Sequence, residues 1–168
     1  ANLTLNRATN VPRQPGSTFK VISSFAPALD TCGATLGSVY YDAPYTVGTK
    51  TFRNWYSGGY QGYSSIRDGI IYSMNIVAVR CMMETLTSSD YNAATALGGL
   101  TEGVTNLELT SAFATIANQG MYTEPIFFTK IIDRNGKVLI NNEPATRRVL
   151  KDSTAFLLTD ALKDSMIG

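Results

Sequence analysis

Apolar residues recur three or four positions apart in several stretches of the chain, the spacing that lays one stripe along a helix. Phe19, Ile22, Phe25, Ala26 and Leu29 make the first stripe, on a helix expected to begin near Ser17, just past Pro15-Gly16. Serine suits a helix N-terminus, and Pro27 is expected to weaken or bend the last turn. A second helix is predicted from Ser65 to Tyr72, with Ile66, Ile70 and Ile71 inward. A third runs from about Asn75 to Leu86, with Ile76, Val79, Met82 and Met83 on one side. Thr105 and Glu108 have capping-box spacing and open a helix over Leu107 to Asn118 that stops at Gly120. A last helix starts at Asp152 or Ser153 and carries Ala155, Phe156, Leu158, Leu162 and Met166.

Strand patterns are fewer. Ile126 to Asp133 and Val138 to Ile140 flank Arg134-Asn135-Gly136-Lys137, which predicts one β-hairpin near 126–141 through an Asn-Gly turn. Residues 1–16 are polar and read as an extended lead-in. Cys32 to Tyr63 is a long irregular stretch rich in Gly, Tyr, Thr and Ser, with short β-like pieces, and long ordered loops are often functional. The expected class is α+β, mainly helical, without repeats.

Composition narrows what such a fold can do. With 168 residues, 44% hydrophobic and 16% charged, the chain can bury a core. The net charge is +1 with scattered Lys and Arg, so no nucleic-acid partner is expected. There is no apolar run of about 18 residues and no opening signal peptide, so the chain itself is expected to be soluble. The chain contains no histidine, which removes Ser-His-Asp and Cys-His catalysis together with the common histidine metal sites. Cys32 and Cys81 lack CxxC spacing and neighbouring ligands, so no metal or cofactor is expected; their disulfide state is left open.

Two short motifs carry candidate chemistry. Ser17 and Lys20 are three apart and meet on one face of a helix. A serine hydroxyl needs a base, and without histidine a lysine can serve if burial lowers its pKa. By spacing alone the pair reads equally as a capping serine with a solvated lysine. Ser73-Met74-Asn75 sits where two helices meet and aims a hydroxyl and an amide into a cleft, or simply caps a helix. Between them, Trp55, Tyr56 and Tyr60 belong to a Gly-Tyr-rich loop that either lines a cleft or packs on its own aromatics.

The two motifs in this order match the S-x-x-K and S-x-N pattern of penicillin-recognising serine enzymes. Asn6-Arg7-Ala8-Thr9 through Arg13-Gln14-Pro15-Gly16-Ser17-Thr18-Phe19-Lys20 resembles the segment around the nucleophile in bifunctional, class A penicillin-binding proteins. Gly103 to Ala112, Ile116 to Gly120 and Asp133 to Leu139 resemble further stretches of that group, so the likeness covers nearly the whole chain in order. It implies a serine transpeptidase/β-lactamase-like fold and a D,D-transpeptidase that cross-links peptidoglycan stem peptides. In it Ser17 would attack the carbonyl between two D-alanines and Lys20 would take its proton. Ser73 would relay a proton to the departing D-alanine, and Asn75 would hold Lys20 and the substrate amide. β-Lactam antibiotics would acylate Ser17. The parent would be extracytoplasmic and membrane-anchored. A serine β-lactamase and a β-lactam sensor are the alternative readings.

The family's third motif, Lys-Thr/Ser-Gly, does not occur in these 168 residues; Lys50-Thr51 is followed by Phe52. The chain is therefore expected to be a partial transpeptidase domain over 1–168: the helical part, with the central antiparallel sheet largely missing and an inactive site. Residues are also expected to be lacking near 86–97, where the family usually has more.

Overall fold

The computed structural model describes residues 5–85 and 92–167. At its centre lies α3 (Asn75–Thr85), buried on nearly every side. Ile76, Val77, Ala78, Val79, Cys81 and Met82 are all fully enclosed, so the stripe expected from Ile76, Val79 and Met82 is only part of the buried surface. Met83 lies at the surface. Helix α2 (Ile66–Ile71) and the first helix pack against α3, and α5 (Asp152–Asp164) packs in turn on those two; Phe25, Ile66, Ile70, Leu158 and Ala161 share the buried cluster. Of the residues expected on the last helix, Phe156 is exposed on α5, opposite the face that buries Ala155, Leu158 and Ala161, and Met166 is exposed beyond the helix end.

The first helix is not uniform. It opens as a 3₁₀ turn over Gly16–Thr18, widens into a π-helical segment over Val21–Phe25 and continues as α1 (Ala26–Thr31). Pro27, expected to weaken or bend the last turn, stands instead in the first turn of α1, which runs on as regular helix to Thr31. Proline has no N–H to donate and its ring crowds the carbonyl four residues earlier, so a wider turn before it removes both demands.

Four two-stranded antiparallel pairs surround the helices. Strands β1 (Val39–Asp42) and β4 (Gly62–Ser65), and β2 (Tyr45–Val47) and β3 (Lys50–Phe52), fold the irregular stretch against α2 and α3. Strands β5 (Met121–Thr123) and β8 (Thr146–Arg148) follow α4 (Asn106–Ala117), whose predicted capping box of Thr105 and Glu108 is formed. The predicted hairpin is β6 (Lys130–Ile132) with β7 (Val138–Asn141). Its loop is longer than a two-residue Asn-Gly turn: the Asp133 carboxylate accepts from Asn135 and Lys137 N–H, and Gly136 alone has positive φ. Arg67 pairs with Asp160 at 2.6 Å and with Asp164, tying α2 to α5, and Asp68 completes a capping box with Ser65.

The lead-in is sewn onto the segment before α4. Arg13 and Val104 exchange backbone hydrogen bonds of 2.8 and 2.9 Å, and the Gln14 amide accepts from Leu100 N–H at 2.7 Å while donating to Leu100 O. Glycine makes the approach possible. A Cβ on Gly98, which has φ +78°, would lie 2.3 Å from Gly16 O, and one on Gly103 would lie 2.5 Å from Arg13 O. Both neighbours are backbone and cannot rotate away.

Gly98→Ala should therefore destabilise the fold by about 1–3 kcal/mol, combining a left-handed non-glycine residue with a backbone clash. The check is a chemical-denaturation midpoint, which should fall.

Candidate active site

The corner between α2 and α3 is where the chemistry collects. Helix α2 ends with Met74 N–H bonded to Gly69 O at 3.0 Å and Ser73 N–H bonded to Ile70 O at 3.3 Å. This is the six-to-one and five-to-two pattern whose left-handed residue is usually glycine. Here that residue is Ser73, with φ +49°. A side chain at this position costs about 1 kcal/mol or more and persists only where the surroundings over-determine it. Met74, next in sequence, is fully buried and anchors the turn in the core.

Lys20 reaches this corner from the first helix. It is 2% exposed, and its Nζ donates to Ser73 O at 2.6 Å and to Ser73 Oγ at 3.0 Å. No carboxylate pairs with it among the described residues. Burial lowers its pKa from 10.5 to about 8. Close to neutral pH a useful fraction is thus the free amine, which keeps two donors for the Ser73 oxygens and has a lone pair to spare.

Ser17 sits inside the 3₁₀ turn, exposed, and its Oγ makes no hydrogen bond among the described residues. The 3₁₀ turn ends at Thr18, and Lys20 follows two residues later on the same helical segment. The direct contact of Lys20 is nevertheless with Ser73. Asn75 differs from expectation: its Nδ2 donates to Arg53 O at 2.8 Å, and it makes no hydrogen bond to Lys20 among the described residues. Its Oδ1 has no partner among them.

The aromatic loop approaches the same corner. Trp55 Nε1 donates to Tyr72 O at 3.1 Å, and its ring stands edge-on to Tyr56 at 5.6 Å. Trp55, Tyr56, Gln61, Ile71, Tyr72 and Ser73 line a cavity of about 350 Å³. Tyr60 is exposed and lies outside that lining. Burial and the nearby Asp42 push the Tyr56 hydroxyl up to about 12, so it remains a neutral donor. A larger cavity, about 580 Å³, lies between the first helix and α4, bordered by Ile22, Pro27 and Leu107, away from these residues.

Two residues beside the corner escape the motif reading: Asp42 and Asn54. Asp42 is the only charged residue between Thr31 and Thr49, a signal available in the sequence. Asn54 carries no such mark, because its role depends on a loop meeting a helix end.

Fold and site define an α+β domain with an exposed serine and, three residues on, a buried lysine that has no counter-ion among the described residues and contacts a strained Ser-x-Asn corner. Comparison with known proteins agrees. The family described as penicillin binding protein transpeptidase domain matches residues 2–98 and 82–166. Penicillin-binding protein 1A of Clostridium tetani is 31% identical over 191 residues, covering 96% of this chain and 24% of the relative. Penicillin-binding protein 1F of Bacillus subtilis is 35% identical over 171 residues, covering 94% and 24%. Among solved structures, penicillin-binding protein 1A from Haemophilus influenzae superposes with TM-score 0.81 at 27% identity, covering 98% of this chain and 31% of that one. Penicillin-binding protein A from M. tuberculosis, solved as its imipenem acyl-enzyme complex, has TM-score 0.84 at 22% identity, covers 96% and 45%, and supports the fold alone. The chain belongs to the penicillin-binding protein transpeptidase family. It spans about a quarter of the length of the curated relatives it matches.

The lysine has a thermodynamic signature. Its folded pKa, about 8, lies below the unfolded 10.5, so between these values the unfolded chain holds a proton that the folded chain does not. The burial penalty is fully present below pH 8 and is relieved above it. Stability relative to a Lys20→Met variant should therefore rise from pH 8 to 10.5, which denaturation midpoints at several pH values will read.

Proposed function

We propose that this chain is the helical, nucleophile-bearing part of a peptidoglycan D,D-transpeptidase that works through a serine acyl-enzyme. The observation that carries this reading is the burial of Lys20 without a counter-ion against Ser73. As the free amine, Lys20 takes the Ser17 hydroxyl proton while Oγ attacks the carbonyl carbon between two D-alanines. The tetrahedral oxyanion is met by the Ser17 backbone N–H, which contributes one donor. Collapse breaks the peptide bond, and the departing D-alanine nitrogen receives a proton through Ser73, in contact with Lys20. An amine of a second stem peptide then attacks the ester, releases Ser17 and leaves the cross-link. Asn75 Oδ1, without an internal partner among the described residues, accepts from the substrate amide. Trp55 and Tyr56 supply an apolar wall beside Ser73. Tyr60 remains a more distant candidate for substrate contact.

A β-lactam presents a carbonyl to the same serine and leaves a stable ester. Such chemistry belongs outside the cytoplasm, with an anchor supplied by the parent protein; no helix among the described residues is long and apolar enough to cross a membrane. The alignment with the Clostridium tetani relative is longer than this chain, 191 positions against 168 residues, and the two family matches overlap at 82–98. Both facts favour residues of the family lacking near 86–97, a stretch of which 86–91 lies outside the described residues.

In the full-length protein, a fluorescent penicillin should label Ser17 once per molecule. The rate should rise with pH through about 8, and Ser17→Ala should abolish labelling. Lys20→Ala should slow it by roughly a hundredfold or more. Many equivalents hydrolysed per molecule would instead mark a β-lactamase. The 168-residue chain alone, which has no Lys-Thr/Ser-Gly triplet, should label negligibly; loss of a single oxyanion donor costs about a hundred- to thousandfold in other enzymes.

A further inference from the structure

We infer that Asp42 and Asn54 are positioning residues for the reaction proposed above, acting through the Ser73 corner; the inference rests on that reading. Asp42 is 1% exposed and no cation pairs with it among the described residues. A buried carboxylate without a cation is costly unless strong hydrogen bonds hold it. It accepts from Asn54 Nδ2 at 2.7 Å and from Gln61 N–H at 2.8 Å, with the Tyr56 hydroxyl at 3.5 Å.

A carboxylate has no proton to give, so it dictates which way the Asn54 amide faces. The Asn54 NH₂ group turns to Asp42 and the oxygen turns away. That oxygen accepts from Asn75 N–H at 2.9 Å and from Ile76 N–H at 3.2 Å, the first two residues of α3. Met74, which precedes the helix, has no side-chain oxygen to cap it, so the cap comes from another loop. Trp55 Nε1 on Tyr72 O and Asn75 Nδ2 on Arg53 O add two ties between the same two segments.

The consequence falls on Ser73. Its left-handed backbone is gripped on one side by the end of α2 and on the other by Asn54. Its carbonyl and hydroxyl are the two groups that hold Lys20. The path from the buried carboxylate to the lysine is therefore continuous: Asp42, the Asn54 amide, the start of α3, Ser73, Lys20.

Exchanging the two side chains tests this. Asp42→Asn alone sets an NH₂ group against either Asn54 or Gln61 N–H. Asn54→Asp alone sets two carboxylates in contact. The double exchange restores every pairing: the new amide at 42 donates to the new carboxylate at 54 and still accepts from Gln61, while the carboxylate at 54 caps α3. In the full-length protein, each single variant should label with fluorescent penicillin more slowly, by up to about a hundredfold, with its labelled fraction retained. The double exchange should recover most of the rate. Single variants at the wild-type rate, or a double variant no faster than the singles, would overturn the inference. A merely structural role would lower the labelled fraction and leave the rate of the labelled molecules unchanged, which also overturns it. If the wild-type protein takes no penicillin, the transpeptidase reading fails. Amide exchange at Asn75 and Ile76 then decides the relay by itself: faster in Asn54→Ala supports it, unchanged refutes it.

Discussion

The site depends on one contact, the Lys20 ammonium against the carbonyl and hydroxyl of Ser73. Neutral oxygens stabilise a buried ammonium far less than a carboxylate would, and that shortfall is chemically useful. An ion pair would lock the proton on nitrogen. Two neutral acceptors leave the amine in place and its proton loosely held. Burial, which is unfavourable for the charged lysine, is thus the feature that would let it serve as a base in the proposed reaction without histidine.

Keeping such a contact in register requires both partners to be held from outside the core. The serine-bearing turn is held by the lead-in, where Gln14 and Arg13 bond the backbone at Leu100 and Val104, and Gly98 and Gly103 let the chains touch. The Ser73 corner is held by the loop that carries Asn54 and Trp55. In both arms polar side chains bond to a neighbouring backbone. Apolar packing against α3 fixes where the helices lie, but it is non-directional; hydrogen bonds supply the angles that a proton transfer needs.

Helices with strong periods or capping boxes were legible in the chain: α2, α3, α4 and α5 stand close to where spacing predicts them. The hairpin at 126–141 was legible too, although Asp133 reshapes its loop. Ser17, Lys20 and the Ser73 corner could be picked out because their types and order form a pattern. The side-chain direction of Asn75 was not legible, since it follows from Arg53 presenting a carbonyl across a loop. Nor was the role of Asn54, a contact between positions 21 and 22 apart that no local period encodes. The exposure of Phe156 was not legible either, since an apolar residue on a helix need not face the core, and Met166 lies past the end of α5.

The wide turn over Val21–Phe25 has a geometric effect beyond accommodating Pro27. An added residue in a helix advances everything before it by about 100° relative to everything after it. The end carrying Ser17 and Lys20 is therefore clocked separately from the end whose Ala28 and Leu29 are seated in the interior. The same rod can satisfy the core with one angular setting and the Lys20–Ser73 contact with another, and the wide segment between them, with Val21, Ser24 and Phe25 buried, serves both.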